Sequence, residues 1–440
     1  DQANYEERTR VLMSNKVQMA VYPLDALIKT GTMIGDFPGT VVMVIDETKG
    51  ADAIVSYKSA VASLEDLNDS KARFVFTPDS PSEFLARIVI AHFNLPDLPK
   101  KWWIEAAGAE DVYDQFRKAD ETKLRAYALW EPYVTKALEK EGAHVLLDSS
   151  KLQGYIVDVL VVQREFLKNN TDLVKTVVQN YMKVAYRYSQ NEDDMVKLIV
   201  DDAKKTGSER LNKKQAKKII QGIQWKNTLE NFAHFGLLST QDSHGLQHIE
   251  DIILNIANVL NNTGAMDTNP LIGKANILYY DTTLKEIQAD NFHPARKLDI
   301  IKGVGPALPD LNRVRGKTEL ARLSDEQWNS LVAVGRMNVK PISFGRGTAR
   351  LNIHSQRELA RLAQHLKAWP QYYLLVIGHA RAEGDVEANT VLSNQRARMA
   401  ADSLVGQGIG STRIRAKAAR PSGRGGAAQS VSFIVGQLPY

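Results

Sequence analysis

The chain has 440 residues, 44% apolar and 24% charged, and reads as a globular protein with enough apolar material for two or three domains. Its formal net charge of +5 is unevenly placed, because residues 341–440 carry roughly +8 and leave the rest slightly acidic. Zero cysteines exclude disulfides, thiolate metal sites, cysteine nucleophiles and a lipid-modified N-terminal cysteine within this sequence.

The opening DQANYEERTR lacks the charged-then-apolar pattern of a signal peptide, and no run of about 18 apolar residues would span a membrane as a helix. Short β-rich runs then alternate with amphipathic stretches: VQMAVY, TVVMVID, ARFVF and HVLLD read as strands, SEFLARIVIAHF and EDVYDQFRKA as helices. That alternation predicts an α/β fold. GYIVDVLVVQREFL, from Gly154, reads as a buried strand running into a helix. From Asp172 to Leu260 the pattern is helical, as in TDLVKTVVQNYMKVAYRYSQ and KKQAKKIIQGIQW, with strands largely gone. Residues 293–337 read as a linker, since Gly and Pro cluster in IKGVGPALPDLNRVRGK before one short helix-like piece. Beyond it VKPISFG, LARLAQHLKAW, YYLLVIG, a helix over Glu387–Val405, TRIRAKA and SVSFIVG predict strand, helix, strand, helix, strand, strand. That is a compact α+β domain over residues 338–440.

In the front part, NKVQMAVYPLDALIK, then DETKGADAIV followed by SLEDLNDSKARFVF, then ALWEPYV and GYIVDVLVV stand in a telling order and spacing. On them, residues 1–292 resemble a type 2 periplasmic solute-binding protein of the ABC-importer kind, near the taurine, nitrate and thiamine-precursor binders. The resemblance implies a two-lobed α/β domain in the periplasm with a small polar solute as ligand. It also implies that the opening strand, Gly-rich loop and helix of the first lobe are missing, the chain beginning after them.

Open α/β sheets bind ligands at strand C-termini, loops and helix N-termini. Thr77, Ser80 and Ser82 in TPDSPSEF precede a helix that Pro81 opens, offering hydroxyls and free N–H groups to an anion; plain N-capping by Ser80 is the alternative. Trp130 and Glu131 follow an apolar run, where the indole would cover a flat ligand and the carboxylate take an amine, or Trp130 packs in the core. Asp25, Asp46 and Asp158 each follow or interrupt a hydrophobic strand, which places carboxylates for a cation or an arginine partner. The serine set and the aspartate set favour opposite ligand charges, and a zwitterion satisfies both.

Catalytic signals are weak. His244 and His248 stand at i, i+4, but Gly245 weakens a shared helix and a solvated helix start is the plainer reading. There is no HExxH, GxSxG, GxxxxGK[ST] or GxGxxG after a strand, and Glu383 and Asp385 fall in a turn. Neither an enzyme nor a cofactor is expected.

In the tail, ISFGRGTARL, HSQRELARLAQHLKAWP and YYLLVIGH precede Gly378, His379, Gly384, Asn389, Leu392, Ser393, Arg396 and Ala397, in register with GHTDxxGxxxxNxxLSxxRA. This resembles the OmpA-like domain that binds peptidoglycan in the periplasm of diderm bacteria. In that family an aspartate two residues after the His and the arginine of "RA" clasp the diaminopimelate of the wall peptide. The arginine carries over as Arg396, and Asn389 maps onto the family asparagine, expected to hold the loop. The aspartate does not carry over: Arg381 stands there, reversing the charge toward the ligand's amine. AQSV at Ala428–Val431 likewise replaces the family's NRRV. Arg381 then either retunes the pocket toward an anionic or protein partner or marks a scaffold domain that no longer grips wall peptide. For the whole chain the expectation is a non-catalytic solute-binding protein tethered to the wall or envelope. The alternative is a scaffold or sensor of an envelope assembly with degenerate sites. Nucleic acid is not an expected partner, since the tail's arginines lack interleaved exposed aromatics.

Overall fold

The computed structural model describes residues 5–206, 211–239, 242–243, 245–295, 320–380, 383–419 and 431–439. It divides into two compact units: residues 1–52, 79–84 and 154–317 form the first, and 53–78, 85–153 and 318–440 the second.

In chain order, α1 (Tyr5–Met13), β1 (Met19–Pro23), α2 (Leu24–Ile34) and β2 (Thr40–Thr48) come first. Then follow β3 (Asp52–Tyr57), β4 (Arg73–Phe76), α3 (Pro81–His92), β5 (Trp103–Glu105), α4 (Ala109–Arg117), β6 (Arg125–Trp130), α5 (Tyr133–Leu138) and β7 (Ala143–Asp148). The chain returns to the first unit for β8 (Val157–Val162), α6 (Arg164–Asn169), α7 (Thr171–Ser189), α8 (Glu192–Thr206), α9 (Lys213–Gln221), β9 (Ile223–Trp225), α10 (Thr228–His234), α11 (Ile249–Asn262) and α12 (Thr282–Ala289). Last come α13 (Asp325–Asn329), β10 (Val332–Arg336), α14 (Ile353–Lys367), β11 (Tyr373–Gly378), α15 (Val386–Gly406), β12 (Ile414–Ala418) and β13 (Val431–Gln437).

The first unit's sheet has the order β1-β8-β2-β9 with every described pairing antiparallel. The return strand β8 lies in the middle, and nearly every residue of β2 is buried, as an apolar run such as TVVMVI requires. The second unit's larger sheet has the order β5-β4-β6-β3-β7, with β4 parallel to both β5 and β6. The strand that enters it, β3, inserts between β6 and β7 and runs antiparallel to β7. Tyr57, Val75, Phe116, Tyr127 and Leu129 form its core on one side. The chain therefore leaves one α/β sheet, builds a second and comes back, as the two-lobed resemblance implies.

The third sheet, β10-β13-β11-β12, is the tail's. Here one expectation is corrected. VKPISFG forms no strand; Phe344 makes only an isolated bridge to Leu351. Pro341 has no N–H to give a ladder, so this stretch runs past the sheet. The sheet's first strand is instead β10, within the stretch expected as linker, just after α13, whose capping box joins Ser324 and Gln327. A second correction is β9, a short strand inside the region read as helical: Gly222 ends α9, and the next three residues pair with β2.

Within the second unit the tail sheet is bonded to the end of α3. Asn338 N donates to His92 O (2.7 Å), Asn94 N donates to Arg336 O (2.9 Å), and Phe93 forms an antiparallel bridge with Met337. Trp369, fully buried, donates from Nε1 to His92 Nδ1 at 2.9 Å and meets the Phe93 ring edge-on at 5.6 Å. Gln153 N adds a bond to Ala368 O. Gly335 is required here, since a Cβ would stand 2.6 Å from the Phe93 ring.

Candidate functional site

The eight residues expected around a solute fall into two sets. Thr77, Trp130 and Glu131 belong to the second unit; Asp25, Asp46, Asp158, Ser80 and Ser82 belong to the first.

In the second unit, β4 and β6 are parallel neighbours with the chain crossing to opposite sides, which makes their C-terminal ends a topological switch point where α/β sheets bind ligands. Thr77 follows β4, Trp130 ends β6, and Glu131 comes next, so this edge gathers all three. The Glu131 carboxylate already accepts from Thr135 N and Oγ1 over the first turn of α5.

The first unit gathers its aspartates. Asp158 on β8 stands directly opposite Asp46 on β2, and Asp46 stands opposite Trp225 on β9, so the three side chains share one face of the sheet. Pro23, opposite Asp158 on the other side, leads into α2, whose first turn carries Asp25. Asp25 is buried; its carboxylate accepts from its own N–H and that of Ala26, while Oδ1 has no partner. Burial, then the charges of Asp158 and Glu83, raises Asp25 to about 7. Burial raises Asp158 to about 6 against the pull of Arg8, and burial and Asp158 raise Asp46 despite Lys226. Arg8 and Lys226 do not outweigh burial and mutual repulsion, so carboxylates gathered this way favour protonation or a cationic guest. Among the described residues no three acidic or imidazole groups are close enough to hold a metal ion.

Ser80 caps α3: its Oγ accepts from Glu83 N at 3.3 Å, and Glu83 reaches back to Asp79 N at 2.6 Å. Lys29, midway along α2, pairs with Asp79 and Glu83, which ties α2 to the start of α3. Ser82 is fully buried, and its Oγ has no partner.

Sequence reading missed the neighbour of the acidic row. A hollow of about 730 Å³, lined by Tyr181, Met182, Tyr186, Met195, Trp225 and Leu229 among others, lies between α7, α8 and β9. Its size suits a small-molecule site, roughly 300–1,000 Å³. The Tyr181 hydroxyl is buried without a partner, and burial together with Asp46 and Asp158 raises its pKa. Tyr181 thus links the hollow to the carboxylates. The signal is present in YMKVAYRYSQ, but helical spacing alone reads it as packing.

Glu47, one position from Asp46 and so on the opposite face, forms a buried ion pair with Lys226 (2.7 Å) and accepts from Gly154 N (2.6 Å). Burial opposes its ionisation, but Lys226 and Lys49 prevail and hold it down to about 2.

In the tail, Arg396 is buried on α15. Its Nε donates to Thr348 O (2.9 Å), Nη2 lies 3.4 Å from Gly345 O, and the guanidinium sits over the Phe344 ring. It therefore pins the Gly345–Thr348 turn. Asp385 caps α15 by accepting from Ala388 N, and Asn389 Nδ2 donates to Glu383 O, holding the loop. An open hollow of about 540 Å³ runs along Gly347, Asp385, Asn389, Leu392 and Gln395. Arg381, His244 and the Ala428–Ser430 part of AQSV lie outside the described residues. His248 caps α11 through Nδ1. Among the described residues no helix is long and apolar enough to cross a membrane.

Residues 343–429 match the model of the OmpA family. The chain is similar to the peptidoglycan-associated lipoprotein of Mesorhizobium japonicum, 38% identical over 74 residues, 17% of this chain and 44% of that protein. The peptidoglycan-associated lipoprotein of Brucella melitensis is 32% identical over 74 residues, again 17% of this chain and 44% of the relative. The chain spans less than half the length of these curated relatives. Among solved structures it is similar to the periplasmic aliphatic sulphonate binding protein of Escherichia coli, with 13% identity, 70% of this chain and 86% of that chain covered, and a TM-score of 0.46. Family match, strand order and helix positions together make residues 343–429 an OmpA-like domain, joined in one chain to a region that builds two further α/β sheets.

Proposed function

We propose that this is a non-catalytic periplasmic protein that binds a small solute and is held at the cell wall through its OmpA-like domain. The observation that carries the reading is the bonded joint between α3 and the tail sheet, which supports the OmpA-like domain as a fixed mount for the rest of the second unit. The relatives' names, peptidoglycan-associated lipoprotein, support wall peptide as the partner of that mount. The solute favoured by the first unit carries an ammonium group on a partly apolar body. Asp25, Asp46 and Asp158 would take the charge, and the Tyr181–Trp225 hollow would take the body.

Thermal-shift screening of the full chain with primary amines, sulfonates and nitrate tests the solute. Amines should raise the melting temperature and anions should not, because a ligand stabilises the state that binds it. Stabilisation by sulfonates alone would refute the charge assignment. For the mount, capture on purified peptidoglycan should weaken in Arg396→Lys and rise several-fold in Arg381→Asp, which restores an acid where the family places one. Unchanged capture in both would reject wall-peptide recognition by this site.

A second reading is favoured by the duties of Arg396, Asp385 and Asn389, all engaged in holding their own loop and turn. With Arg381 at the family's aspartate position, the domain then serves as a scaffold toward an envelope protein.

A further inference from the structure

The tail's excess positive charge has a second focus away from the wall-peptide loop. A hollow of about 200 Å³ lies where β12, α13 and α15 meet, lined by Trp328, Asn329, Asn394, Arg398, Arg415 and Lys417. Arg415 and Lys417 are two apart on the edge strand β12 and so point to one face; Asn394 and Arg398 are four apart on α15 and share one side of that helix. Arg415 is fixed in place, its Nη2 2.8 Å from Asp325 and its guanidinium near the Trp328 ring. Its Nη1 is buried with no partner. The side chains of Arg398 and Lys417 have no hydrogen bond or ion pair among the described residues. Three cations converge on one polar hollow against a single carboxylate, an arrangement that repels itself unless an anion joins it.

We propose that this hollow is a phosphate-group site, distinct from the loop around Asn389 and Arg396. Two forks and an ammonium spread around the space match the several oxygens of a tetrahedral phosphate group, whether a dianionic monoester or a monoanionic diester, whereas one carboxylate would engage a single fork. The Asn329 and Asn394 amides supply further neutral donors. The phosphate belongs either to a soluble ester or to a phospholipid headgroup.

The test uses the full chain and the double variant Arg398→Gln, Lys417→Gln, whose two side chains have no described partners and whose melting temperature should stay unchanged. Calorimetric titration with inorganic phosphate and with glycerol phosphate should show millimolar binding, about tenfold weaker in the double variant. Vesicles of phosphatidylglycerol, against phosphatidylcholine alone, separate the sources. Recruitment lost in the variant identifies a headgroup; phosphate binding without recruitment identifies a soluble ester. The site is overturned if the unaltered chain binds no phosphate, if acetate binds equally well, or if the double variant binds as tightly as the parent.

Discussion

Asp25 holds a carboxylate where the protein offers two N–H groups and two other acids, and that imbalance has a measurable sign. A free aspartate ionises near 3.9, whereas this one is raised to about 7. Between those values the folded chain keeps a proton that the unfolded chain has released. The contribution to stability is therefore greatest on the acid side and is lost as pH rises to about 7, where the full penalty of a buried charge is felt. Asp25→Asn keeps an oxygen for the two N–H donors and removes the charge. It should stabilise the protein by roughly 2 kcal/mol at pH 8 and by almost nothing at pH 4, read by urea unfolding at both. The same variant should lose the thermal shift given by amines. Equal stability at the two pH values would mean that the carboxylate is solvated and that the acidic row is no site.

At the scale of elements, Gly378 shows how a motif letter becomes a packing rule. It ends β11 where α15 crosses, and a Cβ there would lie 2.1 Å from the Ser393 carbonyl oxygen, a backbone atom that cannot swing away. Gly378→Ala must push α15 off the sheet, at a cost of about 1–3 kcal/mol or more, visible as a lower urea midpoint with an unchanged slope. This contact was legible in the sequence only through the GH pattern. The alternating strands and helices were legible through their periods, because TVVMVID and YYLLVIG can be buried in only one way. The wrong strand, VKPISFG, shows the limit: apolar residues around a proline read as β until the missing N–H is counted. The aspartates were legible singly because each follows or interrupts a hydrophobic run, but their common row was not, since register between β2, β8 and β9 is set by pairing across distant segments. The Tyr181 hollow and the buried clamp of Arg413, which donates to the carbonyls of Leu366, Trp369 and Tyr372, had no sequence signal beyond ordinary helical and strand spacing.

For the molecule as a whole, the decisive feature is that the OmpA-like domain does not hang from the rest of the second unit by chain alone. Phe93 is buried against Gly335 and Trp369, and His92, stacked on His365 at 4.5 Å, accepts the Trp369 indole proton. Both histidines are kept neutral: burial and the Arg361 charge hold His365 down to about 4, with Glu358 opposing, and burial and His365 lower His92. The unfolded chain takes up these protons near pH 6.5, before the folded one does, so the joint's stability is full above that value and declines as pH falls toward about 4. Phe93→Ala removes no side chain of the OmpA-like domain and opens a cavity at the joint beside Trp369 and Gly335, a truncation worth about 3–5 kcal/mol. If the mount is rigid, the parent's second unit should unfold in one calorimetric transition, and the variant's in two, with protease cutting between β10 and α14. A single transition that merely shifts down would assign Phe93 to packing alone. Splitting would show that the joint carries the cooperativity between the tail sheet and the sheet around β4 and β6, as a fixed mount requires.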